Sequence, residues 1–249
     1  ISQGQVVDSG IYWRNTLEVT GRNTIRTALA WLPRHYEDID SRGNGAYQTE
    51  DRIWWDVLWS TDASKMFNWS FGVGGIQEDL GDWTGQYSIG LTTRPVNSLM
   101  IKADIKYKRR DGWLVYQGSN NFGAYNGINW QPAIELNWFI VPRHQLRFSM
   151  QWAGVRADEQ GFFEISNASD KLIPSPRTRP DYDFTVSLLT AQLRYRWEIA
   201  PLTDLYVVYN LGNRLPSLHE DDFSSLFEDA FDEPLVESFI VKLRYRFGN

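Results

Sequence analysis

Residues 189–199 decide the fold: Leu189-Thr190-Ala191-Gln192-Leu193-Arg194-Tyr195-Arg196-Trp197-Glu198-Ile199. Leu189, Ala191, Leu193, Tyr195, Trp197 and Ile199 share one parity; Thr190, Gln192, Arg194, Arg196 and Glu198 share the other. A helix would mix these sets around its circumference, whereas a strand sends successive side chains to opposite faces. Residues 239–247 repeat the pattern, with Phe239, Val241, Leu243, Tyr245 and Phe247 set against Ile240, Lys242, Arg244 and Arg246.

Working outward, the same alternation predicts about nine further strands, near 11–20, 24–32, 52–60, 65–76, 83–93, 98–108, 128–141, 145–156 and 204–211. Most run ~9–14 residues, the length a tilted strand needs to cross a bilayer and more than the ~5–6 usual in soluble sheets. The connections alternate in length. Tight turns sit at 21–23, 61–64, 95–97, 142–144 and 200–203, and long polar loops are expected near 33–51, 109–127, 157–182 and 212–236, with a shorter one at 77–82. Outer-membrane barrels show this asymmetry of short periplasmic turns and longer external loops.

Composition agrees. The 249 residues hold 12 Trp, 12 Tyr and 13 Phe, yet the mean hydropathy is −0.43. Aromatic girdles on an outer wall around a polar lumen reconcile the two numbers. No run approaches ~18 consecutive apolar residues, which excludes a transmembrane helix. A net charge of −6 argues against a nucleic-acid partner. Zero Cys excludes disulfides, thiolate metal sites and a cysteine nucleophile.

Eleven strands raise a closure problem. With the short turns at the periplasm, the first and last strands run in the same direction, and an antiparallel barrel needs an even number. Either residues 3–8 are the stub of a preceding strand or an upstream portion is absent. The second option is adopted, so residues 1–249 are expected to be the barrel domain forming the C-terminal portion of a longer protein. The start at Ile1, without a Met or a signal peptide, is expected of a mature product or a fragment.

Two segments carry a family resemblance: Leu193–Asn210 (Leu-Arg-Tyr-Arg-Trp-Glu-Ile-Ala-Pro-Leu-Thr-Asp-Leu-Tyr-Val-Val-Tyr-Asn) and Phe239–Phe247 (Phe-Ile-Val-Lys-Leu-Arg-Tyr-Arg-Phe). Together they resemble the C-terminal barrel, of unknown function, in an uncharacterised outer-membrane family of Gram-negative bacteria that carries an N-terminal family 9-like carbohydrate-binding domain. The resemblance implies a surface or periplasmic role connected with sugars and no catalytic motif. The terminal strand, with Tyr245 and Phe247, also resembles the signal read by the barrel-assembly machinery. That signal typically ends on Phe, whereas Gly248 and Asn249 follow here.

Several constellations are candidate sites. Lys102, Lys106 and Lys108 on one strand, with Arg147, Arg194, Arg196, Lys242, Arg244 and Arg246 on others, form a basic lumen patch. Such a patch would attract anions; alternatively Asp56, Asp104, Glu135 and Glu198 neutralise it in a structural network. Trp13, Trp31, Trp55, Trp59, Trp69, Trp83, Trp130, Trp138, Trp152 and Trp197 fall on apolar strand faces as girdle residues, while Trp54 and Trp113 point the other way. In loop 212–236, Phe223, Leu226, Phe227, Ala230 and Phe231 fall at helical spacing, with Ser217 and Glu220 as a capping box. This helix could plug the lumen, pack on the rim or meet a partner.

The remaining chemistry is sparse. His35, His144 and His219 share no metal-ligand spacing, and the loop acids lack an EF-hand pattern, so neither metal nor cofactor is expected. His144 with Ser149 has poor geometry for a nucleophile and base, and Glu18 with Asp56 reads as salt-bridge material rather than an acid–base pair. Asn167-Ala168-Ser169 is a formal glycosylation acceptor.

The sequence therefore predicts an all-β, antiparallel transmembrane barrel of about 11–12 strands in a meander, part of a larger barrel, in the bacterial outer membrane. It is read as a non-enzymatic, passive channel or uptake component for small polar solutes, saccharides among them. The alternative is a non-conducting anchor displaying an upstream carbohydrate-binding domain. Expected partners are outer-membrane lipid and lipopolysaccharide, the assembly machinery and a small solute or saccharide.

Overall fold

The computed structural model describes residues 9–166, 170–175, 182–217, 222–232 and 234–246. Eleven strands form one antiparallel meander, each pairing with its neighbours along the path: β1 (Ile11–Val19), β2 (Asn23–Leu32), β5 (Arg52–Ser60), β6 (Phe67–Gln77), β7 (Trp83–Val96), β8 (Leu99–Gly118), β9 (Asn121–Val141), β10 (His144–Ile165), β12 (Phe184–Ala200), β13 (Thr203–Ser217) and β14 (Val236–Arg244). A short β11 (Leu172–Pro174) adds to β10, and β3 (Tyr36–Glu37) with β4 (Tyr47–Gln48) makes a separate small hairpin. The all-β antiparallel meander is thus as expected. Among the described residues β1 pairs only with β2 and β14 only with β13, so the barrel is not closed.

The two faces of the sheet differ in chemistry from edge to edge. Register lines up Trp13 with Leu29, Leu29 with Trp55, Trp59 with Phe71, Phe71 with Ile89 and Ile89 with Ile105. Across the later strands it lines up Tyr107 with Trp130, Phe148 with Leu193 and Leu193 with Tyr209. Most of these side chains are exposed. The opposite face carries Asp56, Gln86, Lys106, Gln131, Arg194 and Lys242. Period-two alternation turns one sequence into two surfaces.

Glycines permit close approach on both faces. A Cβ at Gly90 would stand 2.5 Å from both the Asp104 carboxylate and the Ser70 hydroxyl, so only hydrogen fits there. On the apolar face a Cβ at Gly75 would stand 2.8 Å from Trp55 Nε1; the indole lies over the bare backbone and is half-buried.

The expected loops at 109–127 and 157–182 are corrected. β8, β9 and β10 run 20, 21 and 22 residues, and Ser119 and Asn120 alone turn β8 into β9. Ser119 sits at φ 53°, next to Gly118 at 105°. A bulge between Arg110 and Trp113 and another between Glu159 and Gly161 shift the alternation, and a phase shift hides strand from a period-two reading. The upper halves of these strands bury Phe122, Tyr47 and Ile165 together, with Leu114, Tyr116, Phe163 and Leu172 packed around them. Loop 33–51 thus docks on them through Tyr47.

The loop after β13 contains α1 (Phe223–Asp232). Asp222 caps it, its carboxylate accepting from the Ser225 backbone N–H at 2.8 Å. This replaces the expected Ser217 cap; Glu220 lies outside the described residues, as do Asn167–Ser169 and His219. No helix among the described residues is long and apolar enough to cross a membrane.

Candidate functional site

The polar face of β5 to β13 encloses a concavity of about 890 Å³. Trp54, Asp56, Gln86, Lys102, Asp104, Lys106, Lys108, Gln131, Glu135 and Gln151 line it, so Trp54 does point inward as its parity requires. Three lysines and three carboxylates leave the cavity formally neutral, but the charges are unevenly matched. Lys102 Nζ stands 2.9 Å from Asp104 and 3.9 Å from Glu135. Asp56, Lys106 and Lys108 have no ion-pair partner among the described residues.

The basic residues of the expected patch separate into several groups. Arg196 donates to Asp204 at 2.8 Å and lies 3.9 Å from Glu198. Arg244 forms a close ion pair with the other oxygen of Asp204, whose side chain is 1% exposed. Arg147 and Arg194 face each other directly across β10 and β12. The Arg147 guanidinium lies 2.9 and 3.0 Å from the Gln145 amide, and neither arginine has a carboxylate partner among the described residues. Lys242 stands opposite Tyr206. Arg246 lies beyond the end of β14 and is exposed, as is Tyr245; Phe247 lies outside the described residues.

Asp204 is the charge partner the sequence reading missed. It is the first inward position of β13, between Arg196 of one neighbouring strand and Arg244 of the other. Three consecutive strands with inward charges Arg, Asp, Arg near one turn level carry that signal. Glu198, expected as a neutraliser, is the lesser partner.

Girdle residues Trp13, Trp31, Trp59, Trp69, Trp83, Trp130, Trp138 and Trp197 are exposed on the apolar face, and Trp55 is half-buried there. Trp59, Phe71 and Trp69 stack in sequence at 5.7 and 6.4 Å. Trp152 is the exception. It has the apolar parity but is 5% exposed, because α1 covers it.

The position of α1 decides between the three roles the sequence left open. Leu226 and Ala230 pack on Trp152 and Leu189, with Phe223, Phe227, Met150 and Leu211 at the margins. By register these wall residues share the face of Phe148 and Leu193. The helix therefore lies against the apolar side of its own wall and does not plug the concavity. Trp152 Nε1 donates to Ser187 Oγ at 2.9 Å, and Ser187 Oγ donates to the Leu226 carbonyl at 2.7 Å. Phe231, at the far end, stays partly exposed against Phe227.

His144 Nδ1 and the Tyr195 hydroxyl form a close hydrogen bond, and the imidazole stacks on Trp197 at 5.7 Å. Ser149 is on the opposite face. His35 is buried against Thr49. Among the described residues no group of three or more His, Asp or Glu is arranged to hold a metal.

The chain is similar to a solved structure titled as the NanC porin in a rhombohedral crystal form, with 9% identity, 84% of this chain and 87% of that chain covered, and a TM-score of 0.27. No curated protein matches it. A family model described as a domain of unknown function (DUF5916) matches residues 4–247. The match fits the barrel domain of unknown function that Leu193–Asn210 and Phe239–Phe247 resemble. The chain belongs to the DUF5916 family.

Proposed function

We propose that this domain lies in the bacterial outer membrane as part of a β-barrel and acts as a passive channel or uptake component for small polar solutes, saccharides among them. One observation carries the reading. The sheet presents a continuous apolar, Trp-rich face and, opposite it, a charged and amide-lined concavity of about 890 Å³. Exposed aromatic walls of this extent are stable against lipid, and a polar lumen is stable in water. A sheet with both needs both solvents. The reading assigns no catalytic step, metal or cofactor; lipid, lipopolysaccharide and the assembly machinery are its partners.

The test is conductance of the full protein in planar lipid bilayers. Stable ohmic steps are expected. Silent bilayers at high protein loading, with heat-modifiable folded protein confirmed by electrophoresis, would refute the channel.

The second reading is a non-conducting anchor that displays an upstream carbohydrate-binding domain. The upper platform favours it: β8 to β10 overshoot the ~9–11 residues a spanning strand needs, and loop 33–51 docks on them through Tyr47. In that case conductance stays absent even when residues 212–236 are deleted, since α1 lies on the wall and not in the lumen.

A further inference from the structure

Register places each inward side chain of β8 between two known neighbours. Lys106 stands opposite Ser88 of β7 and Gln131 of β9; Lys108 stands opposite Gln86 and Asn129. None of these neighbours carries charge. The other charges acting on Lys108 are Arg110, Lys106 and, from the turn after β6, Glu78; Glu78 already accepts a close hydrogen bond from the Thr84 hydroxyl. Four residues along the strand, Lys102 is neutralised by Asp104 and Glu135. The same strand thus holds one paired lysine and two unpaired ones.

Two ammonium groups at i and i+2 stand about 7 Å apart on one face and repel each other. The amides and hydroxyl that stand opposite them in register supply no countercharge. We infer that the inner wall of β7, β8 and β9 is a binding station for a small anion presenting a carboxylate or phosphate group. Lys106 and Lys108 donate to its oxygens, and Gln86, Ser88 and Gln131 meet its neighbouring polar groups. The station deepens the channel reading and rests on it, because it sets the anion on the wall which that reading makes the lumen.

The Arg147–Arg194 pair is the internal control. It lies six residues away along the strand direction, about 20 Å, and faces Asn137 rather than the lysines. The full protein in detergent is titrated calorimetrically with gluconate, inorganic phosphate and, as a neutral polyol, sorbitol. Gluconate, phosphate or both are expected to bind, and sorbitol is not; which anion binds identifies the headgroup. The double variant K106Q/K108Q is expected to weaken binding about tenfold or more, K106R/K108R to retain it, and R147Q/R194Q to change it by less than about twofold.

Equal binding of sorbitol, or unaltered affinity in a folded K106Q/K108Q protein, overturns the station. Loss of binding in R147Q/R194Q alone also overturns it and moves the site to the arginines. Bilayer conductance separates the two readings. A conducting protein that binds neither anion loses the station and keeps the channel; a silent protein that binds through the lysines loses the channel and keeps the station.

Discussion

Two apolar clusters of similar make-up share strand β10, and their surroundings give them different strengths. In the upper one, Phe122, Tyr47 and Ile165 are buried where β8 to β10 extend beyond the apolar belt. In the other, α1 presses Leu226 and Ala230 onto Trp152 and Leu189 at the upper border of that belt. If the wall faces lipid, undocking the upper cluster exposes its side chains to water, whereas undocking α1 exposes the wall to hydrocarbon. The hydrophobic effect drives the first. Packing and hydrogen bonds must hold the second, because lipid tails are as apolar as Leu. Identical contacts are worth different amounts according to the solvent they displace.

The largest expected effect tests the upper cluster. Phe122 is fully buried and meets Tyr47 edge-on at 5.4 Å and Tyr116 at 5.7 Å. Phe122→Ala is expected to cost about 3–5 kcal/mol in urea unfolding of the membrane-reconstituted protein. A loss below ~1 kcal/mol would show that loop 33–51 is not docked. Leu226→Ala, an equally buried position, is expected to cost only about 1–2 kcal/mol in the same assay, below the 2–5 typical of water-facing cores. Equal losses at the two sites would mean that α1 sits over a wall facing water.

How much of this was legible in the sequence follows from which signals are local. The strands around Leu189–Ile199 and Phe239–Arg244 were readable because alternation needs only neighbouring residues. The upper halves of β8 and β9 were not, since the bulge at Arg110–Trp113 shifts the phase and Gly112 and Gly118 read as loop. The parity of Trp152 was readable, but its burial was not, because burial depends on a helix about seventy residues later. Lys106 and Lys108 were legible as inward-facing residues. Their lack of partners required the register, which is set by turns and bulges on β7 and β9.

The relay beneath the helix sharpens the comparison at smaller scale. Ser187 accepts the Trp152 N–H and donates to the Leu226 carbonyl, so Ser187→Ala removes two hydrogen bonds at one position. In a lipid-bounded site each such bond is worth roughly 0.6 kcal/mol on average, and a total near 1 kcal/mol is expected. Faster amide exchange confined to residues 222–232 is the measurement, with Phe122 and its neighbours unchanged. Exchange that rises equally at both clusters would show that they unfold as one unit, and the contrast between them would then be wrong.

The smallest effect is set by pH. The Ser225 backbone N–H, the largest influence on the Asp222 carboxyl, holds its pKa below the usual carboxylate value, with the Ser225 side chain and Ser224 backbone adding to it. A depressed native pKa means the cap contributes fully above the unfolded value of about 4 and is lost as pH falls through the lower native value. Exchange at α1 should therefore be flat from neutral pH to about 5, once corrected for intrinsic chemistry, and should accelerate below 4. Asp222→Asn keeps an oxygen that accepts from Ser225 but cannot titrate, so it should abolish the acid limb while leaving the helix docked at neutral pH. In the upper cluster Tyr47, whose pKa burial raises far from this range, stays neutral throughout, while its hydroxyl donates to the Asp79 carboxylate at 3.0 Å. An acid limb at α1 that persists in Asp222→Asn would assign the transition to something other than titration of this cap.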